Sequence, residues 1–513
     1  MRKDQVNCKS GRHSSGWTKA LYFVLIAAIF CFLPASVVEA GSVFRVCPTG
    51  CAYSTIQAAV DAAAAGGEID VAGGTYSDMH TRPSPDGYSG GTGNITQIVY
   101  IDKNLVIKGG FSPDFSTRDP AVYITKLDAQ NLGRGFVIWW DAVVTLDGMQ
   151  VTRGIPDGLG GLSAYNNAGG GLFAEDANLT LLNMTFFNNY STYGMNFGGG
   201  VYQWWGILTM DNCIIDHNRA NTGGGILAMN LDSLHITNST ISNNISAYGG
   251  GIRSGGVQEL QIENNNILNN NSLSGGGMYI SSSPNALLQK NRFESNTLGN
   301  HNATSDARYG AALFIEGSTV ISRANLFTNN GLNKFQNLYL NEGTIRVYYP
   351  VSFISENDVI LGSRTSGFTS VGAPTGMVTL KQVTISGSLD NGISVLQNNL
   401  SAINTILADN SGYGVLNLGV GAVNLDHTLW NNNASGDQNG PVTHTNDVAG
   451  LPLFASDGYH LSIGSAAIDA GGNSGVRTDF DFKPRPQGNG YDIGAAEFKT
   501  LIYSLYLPVA KNQ

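Results

Sequence analysis

The sequence predicts an all-β protein, a right-handed single-stranded parallel β-helix with an N-terminal capping helix, on three observations. An apolar-x-x-Asn phrase recurs at Phe186/Asn189, Ile215/Asn218, Ile241/Asn244, Ile267/Asn270, Phe293/Asn296 and Phe327/Asn330, its asparagines 29, 26, 26, 26 and 34 residues apart. Glycine triplets at 169–171, 198–200, 223–225, 249–251 and 275–277 keep the same rhythm. Ahead of the asparagines stand Leu179/Leu181, Leu208/Met210, Leu234/Ile236 and Leu260/Ile262, a period-two strand pattern nested inside the longer repeat.

A repeat of this length accommodates three short strands and their corners, each strand pairing with its equivalent one turn away at about 4.8 Å. Identical residues then stack, so the asparagines form an amide ladder and the glycines allow close backbone approach. The rival reading is a leucine-rich repeat horseshoe. Its convex helical segment would have to absorb the glycine triplets, at about 1 kcal/mol per Gly. The array continues upstream through Val144, Leu146 and Val151. Downstream it continues through Val347, Tyr349, Ile354 and Asn357, then Val378, Leu380 and Ile385, Leu400, Leu407 and Asn410, and Val423, Leu425, Trp430 and Asn433.

The ends read differently. Residues 1–40 combine a basic start with the apolar run Leu21 to Val38 and a Val38-Glu39-Ala40 cleavage site, a secretory signal peptide; the alternative is a retained membrane anchor. Its removal takes five basic and two acidic residues and moves the formal charge from −10 to −13, which argues against nucleic acid as a partner. Residues 41–98 form the N-terminal cap and first coil. Within them, Ser54 or Thr55 caps a helix running to about Ala65, Glu68 to Tyr76 is the first strand, and Ser77 to Thr96 is an exposed excursion. Residues 99–435 are the coils, and 436–513 a C-terminal cap with a short tail. Cys47 and Cys51 suit a disulfide in an oxidising compartment, and Cys213 falls on a strand as apolar filler.

Tyr53 to Tyr76, with its Ile-Gln-Ala-Ala-Val-Asp-Ala-Ala run, resembles the opening of pectin-lyase-like β-helices. The glycine-rich and Phe-x-x-Asn phrases resemble repeats of polymorphic outer-membrane adhesins, with Gly310-Ala311-Ala312 nearest the family form. Ser465 to Gly471, Asp479 to Asp481, Pro484 to Pro486 and Asp492 to Glu497 are similar to the segment called choice-of-anchor Q, which implies a secreted or surface-held bacterial protein. The chain lacks a sortase-type motif after Glu497. Asp479, Asp481, Asp492 and Glu497 could hold calcium; the preferred reading pairs Arg485 with a carboxylate and seals the last coil. No motif calls for a cofactor or metal.

Many extracellular β-helices cleave acidic polysaccharides, chemistry that needs carboxylates on neighbouring turns. No polygalacturonase-like signature and no such column is legible. If the protein is an enzyme, a polysaccharide lyase or hydrolase, the nearest candidates are Asp216 and His217, although Ile215 and Asn218 around them are ladder residues. Asp306 to Arg308 and Asp141 are lone alternatives. Aromatic residues suit sugar faces better: Tyr190, Tyr193 and Tyr309 on the loops after the asparagines, and Trp204-Trp205 at another corner. The expected function is a secreted or cell-surface, adhesin-like protein binding a glycan or partner surface. The alternatives are the enzyme above and a passive envelope or matrix component.

Overall fold

The computed structural model describes residues 43–83, 93–156, 167–191, 196–299, 309–332, 342–372 and 376–499. The expected signal peptide, Tyr193 and Asp306 to Arg308 lie outside these. The fold is a right-handed parallel β-helix: 39 of the described strands join one sheet system wound on itself, and three short strands form a second. Each central coil carries three strands, here A, B and C, exemplified by Ile226–Met229, Ser233–Thr237 and Thr240–Ser242.

Parallel register places like residues above one another. The inward residue of strand C runs Phe186, Ile215, Ile241, Ile267, Phe293, Phe327, and that of strand B runs Leu208, Leu234, Leu260, Ala286, Val320. All are buried. The Phe293 and Phe327 rings stack at 4.8 Å between centroids. Burying each such side chain contributes about 1.5–3 kcal/mol.

The asparagine ladder forms as expected. Asn218 donates its backbone N–H and its Nδ2 to Asn244 Oδ1 at 2.9 and 3.1 Å, and Nδ2 also reaches Phe186 O at 2.9 Å. The same linkage to the next asparagine runs from Asn189 through Asn330, with every amide inaccessible to solvent. Each inward amide therefore satisfies backbone groups that a corner would otherwise strand away from water. The triplets act as expected too: Gly223 has φ +64, and a Cβ on Gly224 would lie 2.5 Å from Ile245 O.

A second ladder, five residues earlier, occupies the B–C corner. Cys213 N–H donates to Ser239 Oγ, Ser239 to Asn265, Asn265 to Asn291, Asn291 to Asn325, and Asn325 to Asp358. Cys213 is buried filler as expected, and burial pushes its thiol up to about 12. Asp358 replaces the amide with a carboxyl, and the usual apolar neighbours of strand B become Ser322 and Ser355. Burial raises Asp358 from 3.8 to about 6, against hydrogen bonds from Ser322, Ser355 and Asn325.

Three expectations need correction. The phase slips after Asn330: Tyr349 is exposed, Ile354 points outward, and Asn357 sits at the B–C corner, where its Nδ2 donates to Thr478 O at 2.8 Å. The position equivalent to Asn330 on the next coil passes to Ser363, then Ser388, before Asn410 and Asn433 resume. The excursion after Tyr76 contains a strand, His80–Pro83, antiparallel to Asn94–Ile101. Finally, coil strands continue to Val448–Ala449, and residues 450–499 do not seal the last coil. They run back along the flank of the B–C corner and strand C. Gly494 N–H donates to Asn404 O, Ala495 N–H to Thr384 Oγ1, and Phe482 lies 3.8 Å beneath Lys290 Nζ.

At the other end, the helix spans Ile56–Ala62, with Thr55 accepting from Ala58 N–H at 3.2 Å. It stops before Ala65 because Ala63 is already extended. Gln57 takes the place of a missing strand: its Oε1 accepts from Tyr100 N–H at 2.7 Å and its Nε2 donates to Tyr100 O at 3.2 Å. The helix thereby covers the first strand-A edge.

Two outcomes follow from the ladders. Asn270→Ala strands the Asn244 donors and Ile241 O, a loss of roughly 3 kcal/mol or more. The thermal midpoint, followed by far-UV circular dichroism, should fall by several degrees; an unchanged midpoint would contradict the ladder's role. Because the folded pKa of Asp358 is raised, its contribution is complete below pH 3.8 and is lost as pH rises through about 6. Asp358→Asn should therefore raise the midpoint at pH 7.5 and give no such gain near pH 4.

Candidate functional site

Strand A meets strand B at a corner where each coil from Trp140 to Tyr349 places a residue with left-handed backbone. Most coils use a small or polar residue there: Asp176 (φ 48), Asn230 (φ 55), Gly256 (φ 67), Ser282 (φ 51) and Gly317 (φ 53). Three use large rings instead: Trp140 (φ 29), Trp205 (φ 60) and Tyr349 (φ 43). Bulky residues resist this region, at about 1–3 kcal/mol each. All three rings are exposed, by 52%, 45% and 50%.

The residue before each of them is also aromatic and is tied to the coil. Trp139 pairs in register with Glu175, and Glu175 with Trp204, so the two tryptophan pairs stand two coils, about 10 Å, apart. Beneath them runs a stack on the outer face of strand A, Trp139 to Phe173 at 6.0 Å, Phe173 to Tyr202 at 4.9 Å and Tyr202 to Trp204 at 6.4 Å. This stack is largely buried and holds the exposed indoles in place.

Carboxylates gather at the same corner. Asp141 N–H donates to Asp176 O, which sets the two acids on adjacent coils. Asp176 is pushed above the usual carboxylate range by burial first, then by the charges of Asp141 and Asp232. Asp141 is a lone acid in the sequence; the signal for its neighbour is the acid or aromatic that ends strand A on three successive coils, Trp139 to Asp141, Glu175-Asp176 and Trp204-Trp205.

The other expected residues scatter. Tyr190 is half-buried and its hydroxyl hydrogen-bonds Asn131 Oδ1 at 2.8 Å. Tyr309 lies beneath the Arg346 guanidinium, 3.7 Å from its centroid, and burial lowers Arg346 to about 10. These rings stand on the C–A side, away from the tryptophan corner. Cys47 and Cys51 are bonded, with Cα atoms 5.6 Å apart.

Asp216 and His217 touch, Oδ2 to Nδ1, at 2.6 Å. Ser242 Oγ and Asn243 Nδ2 donate to the other carboxylate oxygen at 2.7 and 2.8 Å. Burial pushes this carboxyl up, and hydrogen bonds from Asn243, Ser242 and His217 outweigh it and hold it below the usual range. The next acid down its strand-C column is Glu294, three coils and about 14 Å away. Paired carboxylates of glycosidases stand roughly 5–9.5 Å apart. Glu294 is moreover paired with Arg292 at 2.6 Å.

In the C-terminal segment, Arg485 pairs with Glu497 at 2.6 Å with both side chains fully enclosed. Asp492 accepts from Asp469 N–H and Phe498 N–H, and burial lifts it to about 6. Asp479 accepts from Lys483 N–H at 2.8 Å. These acids are held by protein donors, and among the described residues no group of three or more His, Cys, Asp or Glu is arranged to hold a metal.

Compared with known proteins, the family described as right handed beta helix region matches residues 159–359. No curated protein matches the chain. Among solved structures, tailspike protein 3 of bacteriophage CBA120 is 10% identical with a TM-score of 0.34, over 74% of this chain and 56% of its own. Pectate lyase Pel9A is 16% identical with a TM-score of 0.31, over 89% and 96%. The catalytic domain of a GH87 alpha-1,3-glucanase, in complex with tetrasaccharides, is 13% identical with a TM-score of 0.33, over 74% and 63%.

The tryptophan corner makes one structural claim that can be measured directly. Trp205→Gly replaces a ring at positive φ with the residue that Gly256 and Gly317 supply on other coils. Its thermal midpoint should hold or rise, by an amount corresponding to about 1 kcal/mol. A marked fall would mean that the ring supports the coil.

Proposed function

We propose that the protein is a secreted or cell-surface β-helix that binds a polysaccharide along its A–B corner. The observation that carries this reading is the pair of exposed indoles, Trp140 and Trp205, at backbone angles that cost stability. Exposed aromatic faces on a rigid support suit pyranose rings, because they bury apolar C–H surface with little loss of side-chain freedom. Strain retained at an exposed position points to a role outside the fold. The Cys47–Cys51 bond supports an oxidising compartment, and the adhesin-like repeats and anchor-type segment support a surface location.

A second reading is favoured by Asp176. A carboxyl raised by burial and by Asp141 and Asp232, beside two indoles, is suited to act as the general acid of a glycoside hydrolase. Asp216 and His217 are less suited, because the next acid down their column, Glu294, is three coils away and paired with Arg292.

Affinity electrophoresis in gels containing neutral polysaccharides tests the first reading. Trp140→Ala and Trp205→Ala should each weaken retention about tenfold, the effect expected from losing a central aromatic contact. Retention unchanged in both variants would remove the proposal. Reducing-end release from the retained polymer tests the second: Asp176→Asn should abolish release while leaving retention intact. A wild-type protein that releases none excludes that reading.

A further inference from the structure

We propose that Arg253 is an anion-reading subsite on the same face, so that the polysaccharide taken up carries an oxyanion, carboxylate or sulfate, beyond the sugars that stack on Trp205. The inference rests on the polysaccharide reading above. Arg253 lies on the outer face of strand A, in the column that runs Phe173, Tyr202, Leu227, Arg253, Tyr279, Phe314 and Arg346. It is therefore two coils, about 10 Å along the axis, from Tyr202 and the Trp204-Trp205 pair.

Its guanidinium is fixed and largely desolvated. The Tyr279 ring lies 3.8 Å below it, Nη2 donates to Ser281 Oγ at 2.8 Å, and Nη1 donates to Ser254 O. Both protein acceptors are neutral. Among the described residues no carboxylate approaches within 4.0 Å of it. Glu316, the nearest acid that acts on it electrostatically, is engaged by the Tyr279 hydroxyl. A guanidinium has five N–H donors, and a half-buried cation without a paired anion gains from one. A planar fork with unused donors suits a carboxylate or sulfate. Asp141 and Asp176 lie on the Trp140 side of Trp205 and repel such a group, which favours an anionic chain with its charge toward Arg253; Asp232 lies on the coil between Trp205 and Arg253.

The test compares wild type, Arg253→Gln, Arg253→Lys and Trp205→Ala on three probes: polygalacturonate for carboxylate, dextran sulfate for sulfate, and neutral dextran. Arg253→Gln should weaken binding to one charged probe at least tenfold and leave neutral dextran within twofold. Arg253→Lys should recover only part, because it keeps the charge and loses the fork. Wild-type affinity for that charged probe should also fall with added salt, a readout that needs no variant. Charged probes bound no better than dextran, insensitive to salt, or unaffected by Arg253→Gln would overturn the subsite. If dextran retention nevertheless falls in Trp205→Ala, the polysaccharide reading stands while the subsite fails; if Trp205→Ala changes nothing on any probe, the underlying reading fails instead.

Discussion

The structure depends on satisfying the backbone wherever the chain turns inside a continuous stack. Strands pair with the coils above and below, so their N–H and C=O groups are provided for; the corners are not. At two corners per coil the chain turns an amide inward, and that amide supplies to its neighbour what a missing strand would have supplied. Asn218 shows the pattern, with its own N–H and Nδ2 directed to Asn244 Oδ1 and its Oδ1 accepting from Asn189. A buried donor left open costs about 1–3 kcal/mol, comparable with the burial of an apolar side chain. The ladders are thus a condition of the core as much as an addition to it.

The same constraint explains where the sequence is legible. The C–A ladder is visible because it is nearly pure asparagine with a fixed apolar residue three positions earlier. The B–C ladder has the same spacing but passes through Cys213, Ser239 and Asp358, so composition disguises it. A hydroxyl can substitute because the position needs an acceptor for the next N–H. Asp358 can also accept, but its second oxygen lacks the amide's donor, and Ser355 and Ser322 supply hydroxyls in compensation. The phase slip after Asn330 follows a 34-residue spacing and the change to Ser363, which left Tyr349, Ile354 and Asn357 as misleading matches to the pattern. A C-terminal unit is recognisable in the sequence, although read as 436–513, but not its path: that path depends on Asn357, Thr384 and Asn404 presenting polar groups on the flank.

The candidate site was only half legible. Trp204-Trp205 stands out as a pair, and Tyr190 and Tyr309 stand out as loop aromatics. What the sequence conceals is register. Trp139-Trp140 and Trp204-Trp205 lie 65 positions apart in the chain yet two coils apart in space, and Asp176 enters between them only because the 29-residue repeat aligns Glu175 with Trp204. Conversely, Asp216 and His217 are adjacent in sequence and do touch, but stacking carries the nearest acid in their column out of reach.

A solenoid also separates the cost of function from the cost of folding. Its corners repeat, so each coil offers a control for its neighbours. At the A–B corner Asn230, Gly256, Ser282 and Gly317 are the inexpensive solutions to a left-handed backbone, and Trp140, Trp205 and Tyr349 are the expensive ones. If packing required the large rings they would be buried; they are exposed, while the aromatic residues just before them do the packing. The strain is confined to a few coils and is borne by the long, regular core on either side. A corner that tolerates nearly any residue with a left-handed backbone can carry recognition chemistry without altering the coil beneath it. This is why the fold is written throughout the repeat, while the recognition face is written only where the repeat departs from its own rule.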